Sequence, residues 1–453
     1  MKKTVKALSL FIALLLLFSA VSGASAHGAK TTIEEWTSQF EAIKTDTSII
    51  ALTPGSNEHE MNFAWLSPLT DLKHEFKLSE NIDMSNSVSV SVKTLIGVTG
   101  NFTNKVTAAD LKPNTVYYYS YTENGIWSKP EAFKTGGGSS FKAILVADTQ
   151  IGRSGDETLD EVLLRDSFGW NSTLETAFAA NPDINFVLSA GDQVNTASTN
   201  LQFNAFLAPK LLRNIPIATT MGNHDFYFPL YKNHFNNPNE FKNEIIESPG
   251  GSGYCFTYGQ ALFIVVNSNI PFPANQELLV KQAVAANPDA IWRVVLMHNS
   301  IYGAGGGEPN PVNLWRFYAP VFDKYKIDLV LSGHDHVHCR TYPINNGKIV
   351  DDGKGVVYLS ENSSSGSKFS DAPATAPWYA ANCSQLRVPT YSVLAFEEGS
   401  LTINTYRTDT LEKIDEVYVI RKQEPATPVT TQSFFKMLAG IISSIIMVMK
   451  ASF

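Results

Sequence analysis

Five apolar segments of this sequence each run directly into a cluster of polar side chains of the kind that bind metals. The five clusters are Asp148-Thr149-Gln150, Gly191-Asp192, Gly222-Asn223-His224-Asp225, Met297-His298 and Gly333-His334-Asp335-His336. The preceding apolar segments, such as Ile327–Leu331, have the length and composition of buried strands. Two imidazoles two positions apart, just past a strand, cannot both enter the core, but both can point into a crevice at the carboxyl end of a sheet. The order predicts strand ends that build one polar site.

Helical patterns separate these strands. They are predicted at Leu159–Trp170, Thr173–Ala180, Asn200–Asn214, Gln276–Asn287 and Trp315–Lys326. Strand–helix alternation favours an α/β sandwich with its ligands on the loops of one edge, over residues 141–422. Gly355–Leu359, Tyr391–Phe396 and Leu401–Tyr406 are predicted to close the second sheet. The polarity of the loop Ser363–Lys368 suits either the site or solvent, and solvent is favoured.

This ordered set of motifs resembles the metallophosphoesterase superfamily, the calcineurin-like phosphatases that include the purple acid phosphatases. The match spans Phe141 to Arg340 and implies a site for two metal ions. By position, the first metal would be held by Asp148, Asp192 and His336, and the second by Asn223, His298 and His334, with Asp192 bridging the two. The resemblance also implies that His224 is the general acid or a phosphate-binding residue, and that Asp225 orients its ring.

The residue types suit this chemistry. Carboxylates together with imidazoles favour Fe, Mn or Zn ions. Two such ions clamp the attacking and leaving oxygens of a phosphate ester and lower the pKa of a bound water, so that a hydroxide nucleophile exists near neutral pH. The leaving group still needs a proton, which the unligated His224 can supply. The expected reaction is phosphate-ester hydrolysis, and the alternative within enzymes is a phosphodiesterase or nucleotidase with the same site.

Two positions depart from the family pattern. Gln150 stands where the first motif usually has a histidine, and Asn195 stands where purple acid phosphatases have a tyrosine. Gln150 is predicted either to ligate through its amide oxygen or to hold a metal-bound water. Without a tyrosinate we expect no phenolate-to-iron charge-transfer band. A non-catalytic surface-binding protein with a weakened first metal site is the rival hypothesis from a different class.

Two further residues on the site loops are candidates for substrate binding. Arg153 and Tyr302 are predicted phosphate contacts, with ordinary surface residues as the alternative. Asn223 and His224 are expected to contact the phosphate as well. His234, in the insertion Phe226–Gly253, is predicted to be structural.

The residues before the catalytic segment have a different sequence pattern. Residues 27–47 are predicted as a helical lead-in, residues 48–135 as an all-β sandwich, and residues 136–140 as a flexible linker. The segment Leu111–Tyr117, L-K-P-N-T-V-Y, resembles the tyrosine corner of fibronectin type III domains, with Trp65 as a core tryptophan. Such a domain precedes the catalytic one in purple acid phosphatases and their bacterial relatives. The predicted fold class is therefore α+β multidomain.

The amino terminus has the pattern of a secretory signal peptide. Basic residues at Lys2, Lys3 and Lys6 precede an apolar stretch, and Ala24-Ser25-Ala26 has the form of a cleavage site, so residues 1–26 are predicted to be removed. An uncleaved anchor is the alternative. Cleavage removes three lysines and no acid, which moves the net charge from −8 to −11. So acidic a chain argues against nucleic acid as the main partner. A secreted or surface-associated protein is expected.

The carboxyl terminus has a Pro/Thr linker at residues 423–432 and an apolar amphipathic tail at residues 433–453. Lys436 and Lys450 enclose 13 residues, fewer than the roughly 20 that a spanning helix needs. Peripheral membrane contact is favoured, with packing onto the protein or self-association as alternatives. The chain has three cysteines, so one disulfide is predicted at most, with Cys339 as the favoured participant.

Overall fold

The computed structural model describes residues 30–242, 247–270, 273–304 and 314–422. The predicted signal peptide, Pro/Thr linker and apolar tail lie outside the described residues. The helical lead-in is confirmed as α1 (Ile33–Ile43), which begins at Thr32 with a reciprocal capping box to Glu35. This helix buries Trp36 and Phe40, and the Trp36 indole N–H donates to Ser167 Oγ (3.0 Å) of the catalytic domain. The lead-in is therefore part of the catalytic domain's packing.

The next segment forms a β-sandwich of two sheets. Its strands are β1 (Ala51–Pro54), β2 (Met61–Pro68), β3 (Phe76–Ser79), β4 (Val88–Val90), β5 (Lys93–Ile96), β6 (Asn101–Ala108), β7 (Val116–Glu123), β8 (Ile126–Trp127) and β9 (Glu131–Lys134). One sheet has the order β1-β2-β6-β5, and the other has the order β4-β3-β7-β8 with β9 also paired to β7. All of the pairs are antiparallel.

Aromatic side chains fill the space between the two sheets of the sandwich. Phe63 and Phe76 have ring centroids 4.6 Å apart, and Trp65 is buried beside Tyr121. The tyrosine-corner contact is present, because the Lys112 backbone N–H donates to Tyr117 Oη (3.0 Å). The predicted core role of Trp65 is therefore confirmed.

The catalytic domain consists of β-strands that alternate with helices over its first two thirds. The strands are β10 (Phe141–Val146), β11 (Phe186–Ser189), β12 (Ile217–Thr219), β13 (Tyr254–Tyr258), β14 (Ala261–Val265), β15 (Trp292–Leu296), β16 (Leu329–Ser332), β17 (His338–Thr341), β18 (Ile344–Asn345), β19 (Lys348–Ile349), β20 (Val357–Ser360), β21 (Ala380–Ser384), β22 (Thr390–Phe396), β23 (Ser400–Arg407) and β24 (Tyr418–Arg421). The helices are α2 (Leu159–Ala180), α3 (Asn200–Leu207), α4 (Leu230–His234), α5 (Pro273–Ala286) and α6 (Leu314–Lys324), with a 3₁₀ turn at Lys210–Arg213.

These elements form a four-layered sandwich. A six-stranded sheet has the order β12-β11-β10-β22-β23-β24, and a seven-stranded sheet has the order β13-β14-β15-β16-β20-β17-β21. The two sheets bury their facing sides against each other, with Leu145 and Phe186 of one packed in the same core as Phe263 of the other. Helix α2 covers the outside of the six-stranded sheet, and α5 and α6 cover the outside of the seven-stranded sheet. The predicted α/β sandwich is confirmed.

Two details of the predicted architecture need correction. The two helical patterns between Leu159 and Ala180 form one continuous helix. Of the three predicted closing strands only β20 joins the second sheet, whereas β22 and β23 join the first, with β22 antiparallel to β10. An apolar strand pattern does not specify which sheet edge the strand covers, and β10 would otherwise have been an unprotected edge.

Cys339 and Cys383 form a disulfide between β17 and β21, so the predicted bridge is confirmed and its partner is identified. Cys255 is free. Within the described part of the chain, no helix combines the length and the apolar character that crossing a membrane requires.

Candidate metal centre

The polar strand ends converge at one edge of the two central sheets. Strands β10, β11 and β12 run parallel in one sheet, and β15 and β16 run parallel in the other, so their carboxyl ends can meet. The backbone N–H of His334 donates to Asp148 Oδ2 (2.8 Å), which connects the two sheets directly. The backbone N–H of His224 donates to Asp192 Oδ1 (2.9 Å). All five predicted motifs contribute to this edge.

Several candidate ligands have a backbone conformation that non-glycine residues seldom adopt. The residues with positive φ include Asp148 (46°), Gln150 (39°), Asp192 (49°), His334 (73°) and His336 (53°). Left-handed backbone costs about 1–3 kcal/mol at a non-glycine residue and persists where the surrounding structure enforces it. Five such residues at one sheet edge therefore indicate a functional site.

Two glycines allow the backbone to approach the carboxylates closely. A Cβ atom on Gly222 would overlap the Asp192 carboxylate, and a Cβ atom on Gly333 would overlap the Asp148 carboxylate. The small residues in the motifs G-N-H-D and G-H-D-H are thus explained by the space that the two buried carboxylates occupy.

One half of the site brings together an amide oxygen and two imidazoles. Asn223 Oδ1 lies 3.0 Å from His298 Nε2 and 3.0 Å from His334 Nδ1, and the two ring nitrogens are 3.2 Å apart. Asp192 Oδ2 is 3.4 Å from His298 Nε2. The other ring nitrogen of His298, Nδ1, donates to the Ala190 carbonyl (2.9 Å), which leaves Nε2 as the nitrogen available to a metal.

The other half of the site contains two buried oxygens without a hydrogen-bond partner. Asp148 Oδ1 and Gln150 Oε1 are both in this state, although Asp148 and Gln150 are fully buried. His336 Nε2 lies 3.5 Å from Asp148 Oδ1, while His336 Nδ1 donates to the Lys368 carbonyl (3.2 Å). Unpaired buried oxygens are costly unless a cation binds them. Their chemistry fits the metal that the sequence predicts.

The electrostatics of the site favour cation binding. Burial raises the pKa of Asp148 to about 8, and the nearby Asp192 carboxylate adds to this effect against the lowering effect of His298. A cation between the two carboxylates would remove that cost. Burial, followed by the His298 charge, lowers the pKa of His334 to about 4. Burial, followed by the Lys368 ammonium, lowers the pKa of His336 to about 3. Both rings are therefore neutral, which is the form that ligates a metal.

The described residues also contain a compact ligand group that joins the two halves. Asp148, Asp192 and His298 are all buried, and each offers a ligand atom within 4.8 Å of the others. The Asp192 carboxylate lies between the two halves, as a bridging ligand would, because it is 3.4 Å from His298 Nε2 and has an oxygen within 4.8 Å of an oxygen of the Asp148 carboxylate.

His224 lies at the rim of the site and is partly exposed. Its ring Nδ1 donates to the Asn195 carbonyl (2.8 Å). This bond fixes the ring and leaves Nε2 as its second nitrogen. The residue that replaces the family tyrosine thus orients the histidine through its backbone.

The expected role of Asp225 needs correction. Its carboxylate accepts backbone N–H bonds from Gly222 (2.8 Å), Gln193 (3.3 Å) and Val194 (3.3 Å). The ring of His224 is held by Asn195 instead, because the buried Asp225 carboxylate lies under the loop that follows Asp192. Asp225 is a positioning residue for the Asp192 and Asn223 loops.

The two predicted phosphate contacts have different surroundings. Tyr302 is buried in an aromatic cluster, with its ring edge-on to Tyr358, Trp378 and Tyr379. Packing explains the position of its ring, and the phosphate contact of Tyr302 stays a prediction. Arg153 has an exposed side chain on the loop after Gln150. The Asp166 carboxylate holds this loop in place by accepting hydrogen bonds from the loop's backbone N–H groups. The predicted structural role of His234 is confirmed, because its buried ring stacks on Phe203 at 4.7 Å.

The loop at residues 363–368 also supports the site, which its local sequence pattern did not predict. Ser363, Ser364 and Ser365 are buried, and the expectation that this loop faces solvent is wrong. Ser363 Oγ donates to the Asp148 carbonyl (2.9 Å), and Ser365 Oγ donates to the Thr149 carbonyl (2.6 Å). The run of serines directly after a buried strand was the available signal, since hydroxyls satisfy backbone carbonyls at low volume.

Comparison with known proteins agrees with this description. Residues 141–338 match the family described as calcineurin-like phosphoesterase, and residues 47–135 match the purple acid phosphatase N-terminal domain. No curated protein sequence gives a significant match. The structure is similar to purple acid phosphatase PPD1 from yellow lupin (Lupinus luteus) seeds, with a TM-score of 0.66 and 17% identity over 83% of this chain and 74% of that chain. It is also similar to PhoD, with a TM-score of 0.54 and 11% identity over 84% of this chain and 93% of that chain.

The family match and the strand-end site together define the class: the chain carries a calcineurin-like phosphoesterase domain and is a metal-dependent phosphoester hydrolase. Its preceding domain makes the assignment more particular. The chain combines that catalytic domain with a purple acid phosphatase N-terminal domain, and the family implies a dinuclear metal centre and phosphate-ester substrates.

Proposed function

We propose that this protein hydrolyses phosphate esters at the strand-end site, with two metal ions bound there and His224 as the proton donor to the leaving group. The observation that carries the proposal is the pair of buried, unpaired oxygens, Asp148 Oδ1 and Gln150 Oε1, at the same strand ends as the imidazoles of His334 and His336. A site with this composition is unfavourable without cations and is well suited to them.

The ligand assignment follows the two halves of the site. Asp148, Gln150 and His336 would hold the first ion, Asn223, His298 and His334 the second, and Asp192 both. Such ions supply a nucleophile near neutral pH and neutralise charge on the phosphoryl oxygens. The protein's own part is to hold these side chains in place through the Ala190 and Lys368 carbonyls behind the rings.

Gln150 offers an oxygen ligand at a position where the family pattern has the ring nitrogen of a histidine. Its side-chain Nε2 donates to Asn195 Oδ1 (3.3 Å), which turns Oε1 away from Asn195 and leaves it unpaired. We infer that Oε1 faces the first metal. A neutral amide oxygen in place of an imidazole makes this half of the site harder, which favours Mn²⁺ or Fe²⁺ over Zn²⁺ there.

His224 acts on the leaving group. The bond from Nδ1 to the Asn195 carbonyl makes Nε2 the nitrogen that gains and loses a proton. The doubly protonated ring donates from Nε2 to the departing alkoxide. The backbone N–H of the same residue is bonded to Asp192, so the acid is fixed relative to the bridging carboxylate.

We also propose that the protein is exported. The basic, apolar and small-residue pattern of residues 1–26 supports cleavage after Ala26. The disulfide between Cys339 and Cys383 is compatible with an oxidising compartment, where such bonds persist. The apolar tail at residues 433–453 would then provide peripheral contact with a membrane.

The test combines metal analysis with turnover by wild type and His224→Ala. We expect about two metal ions per chain in both proteins, and a loss of kcat of about 10²- to 10⁴-fold in the variant, because the ring is no longer there to donate the proton. The loss should be larger for phenyl phosphate than for nitrophenyl phosphate, whose leaving group needs less help.

His59→Ala is the matched control, since this partly buried histidine lies in the N-terminal sandwich and should leave turnover unchanged. A wild type that binds two metals and hydrolyses no phosphate ester would refute the proposed function. An equal loss on both substrates in His224→Ala would refute the assignment of His224 as the acid.

A further inference from the structure

A further strand end contributes polar side chains to the edge that carries the metal centre. Strand β14 runs parallel to β15 and is followed by Asn267, Ser268 and Asn269, which belong to none of the five motifs. We call residues 267–269 the β14 loop. Asn267 and Ser268 are buried, and each of the three side chains donates a hydrogen bond to a residue outside the loop. The β14 loop is therefore a fixed part of this edge.

Ser268 holds the segment that carries the ligand His298. Its Oγ donates to Asn299 Oδ1 (2.8 Å) and accepts the backbone N–H of Asn299 (3.0 Å). Asn299 directly follows His298, so this reciprocal pair fixes the backbone beside the ligand. The ring of His298 is held separately, by the Ala190 carbonyl (2.9 Å). The position of His298 thus depends on Ser268 as well as on Ala190.

Asn269 holds the segment that carries the ligand Asn223. Its Nδ2 donates to the carbonyl of Met221 (2.8 Å), two residues before Asn223. The amide group of Asn269 is itself oriented, because Asn267 Oδ1 accepts from both its backbone N–H (3.2 Å) and its Nδ2 (3.1 Å). The nitrogen of this amide therefore faces the Met221 carbonyl.

The two ligands held in this way come from different sheets. Asn223 follows β12 of the six-stranded sheet, and His298 follows β15 of the seven-stranded sheet. The apolar contact between the sheets is non-directional, whereas metal ligands need positions correct to about 0.2 Å. Directional hydrogen bonds can supply that precision. Asn223 Oδ1 lies 3.0 Å from His298 Nε2, and one ion can use both atoms only if such a spacing is kept.

The bond from Asn269 is the last of a series along this edge. Tyr254 Oη donates to the Thr219 carbonyl (2.8 Å), and Thr220 Oγ1 donates to the Val266 carbonyl (3.2 Å). The next residue along the chain receives the bond from Asn269. Three successive residues at the edge of the six-stranded sheet are thus bonded to the other sheet, and the bond nearest the ligand comes from the β14 loop.

We propose that Ser268 and Asn269 are positioning residues for the second metal ion. The β14 loop sets the distance between Asn223 and His298, and through it the affinity of this half of the centre. The inference rests on the proposed function, because it requires a metal ion at these ligands. Neither side chain binds the ion, and both act through the residues that do.

The experiment is a calorimetric titration of Mn²⁺ into chelator-stripped protein. Asn269→Leu keeps a side chain of similar size without the donor, Ser268→Ala removes the hydroxyl, and Ser268→Thr retains it. Asn287→Leu is the matched control, since Asn287 Nδ2 also donates to a backbone carbonyl, that of Ala283 (2.9 Å). Asn287 lies between α5 and the start of β15, at the end of that strand opposite to the site.

We expect Asn269→Leu and Ser268→Ala each to weaken one of the two binding steps by about 10- to 100-fold, the effect of removing a residue that orients metal ligands, and to leave the other step within about threefold. Ser268→Thr should recover most of the loss, and Asn287→Leu should bind as wild type does. The retained step reports that the variants are folded.

A double variant identifies the site that is affected. Asn223→Ala removes a ligand of the second ion, so the step that remains belongs to the first. Asn223→Ala/Asn269→Leu should keep this remaining step within about threefold of Asn223→Ala, because Asn269 acts on the half that is already lost.

Two unchanged steps in Asn269→Leu or in Ser268→Ala would overturn the inference. Equal weakening of both steps, or loss of the remaining step in the double variant, would also contradict it, since the β14 loop would then support the whole fold or the first site. Those results, obtained with a wild type that binds two ions and hydrolyses nitrophenyl phosphate, leave the proposed function intact. A wild type without two binding steps would overturn both.

Discussion

At the scale of single residues, the centre depends on one amide that replaces an imidazole. Gln150 is fully buried, donates to Asn195 and keeps its own oxygen unpaired. Asn195 in turn holds the ring of His224 through its carbonyl. The two positions that depart from the family pattern are therefore linked to each other, and they connect the first metal site to the proton donor.

Replacing Gln150 by alanine tests its role as a ligand. We expect Gln150→Ala to weaken binding at one of the two metal sites by at least about tenfold, because a donor oxygen is lost while the second set of ligands stays intact. Titration of Mn²⁺ into chelator-stripped protein, followed by calorimetry, measures this directly.

Gln260→Ala is the matched control for that titration, since Gln260 lies in the turn before β14, away from the strand ends that carry the site. Two unchanged binding steps in Gln150→Ala would show that the amide oxygen is not a ligand.

At the scale of elements, the histidine loop is supported by strand β17, which lies between β20 and the partly exposed strand β21. Cys339 and Cys383 are directly opposite each other in the β17–β21 pair and are joined as a disulfide. The disulfide thus fastens the last strand of the seven-stranded sheet next to the segment that carries His336.

Removing the disulfide should lower stability. The bridge closes a loop with a sequence separation of 44 residues, for which loop entropy predicts a loss of about 4 kcal/mol in the free energy of unfolding. Denaturant unfolding of the double variant Cys339→Ala/Cys383→Ala measures this loss, and reductant should destabilise wild type but not the variant.

Cys255→Ala provides the control for the disulfide. Burial raises the pKa of this free thiol to about 11, so it is a poor competitor in disulfide exchange. An equal response of wild type and double variant to reductant would contradict a stabilising role of the bridge.

At the scale of the whole molecule, the sandwich and the catalytic domain share specific hydrogen bonds. Tyr119 Oη donates to the Arg213 carbonyl (2.9 Å), and Asn214 Nδ2 donates to the Ala132 carbonyl (2.6 Å). Asn236 Nδ2 donates to the Val106 carbonyl (2.9 Å), while its own carbonyl accepts from Thr53 Oγ1 (2.8 Å). These bonds indicate that the two domains unfold together.

We expect one calorimetric transition for wild type, and two separate transitions for the double variant Asn214→Ala/Asn236→Ala, because each change leaves a carbonyl at the interface without its partner at a cost of about 1–2 kcal/mol. Asn287→Ala, at the end of α5, removes a local hydrogen bond away from the interface and should keep a single transition. Two transitions in wild type would argue against coupled domains.

The predictable part of the fold and site rests on local patterns. Apolar runs that end in Asp148, Asp192, His298 or His334 specify buried strands with polar ends, because strand burial and chain direction are encoded within a few residues. The segment Leu111–Tyr117 likewise contains both a turn and the hydrogen bond that closes it, from the Lys112 backbone N–H to Tyr117 Oη. From these patterns the α/β sandwich, the site edge and most of the candidate ligands followed.

The sequence by itself therefore determined the class of fold and the ligand types. Only the tertiary structure decided which residues, distant in the sequence, form hydrogen bonds with each residue of the site. Asp225 holds the amides of Gln193 and Val194, some 30 residues earlier in the chain. Ser363 reaches Asp148 across 215 residues, and the same loop brings Lys368 to His336. The physical reason is that the partner of a buried polar group is set by packing between layers, which no local pattern encodes.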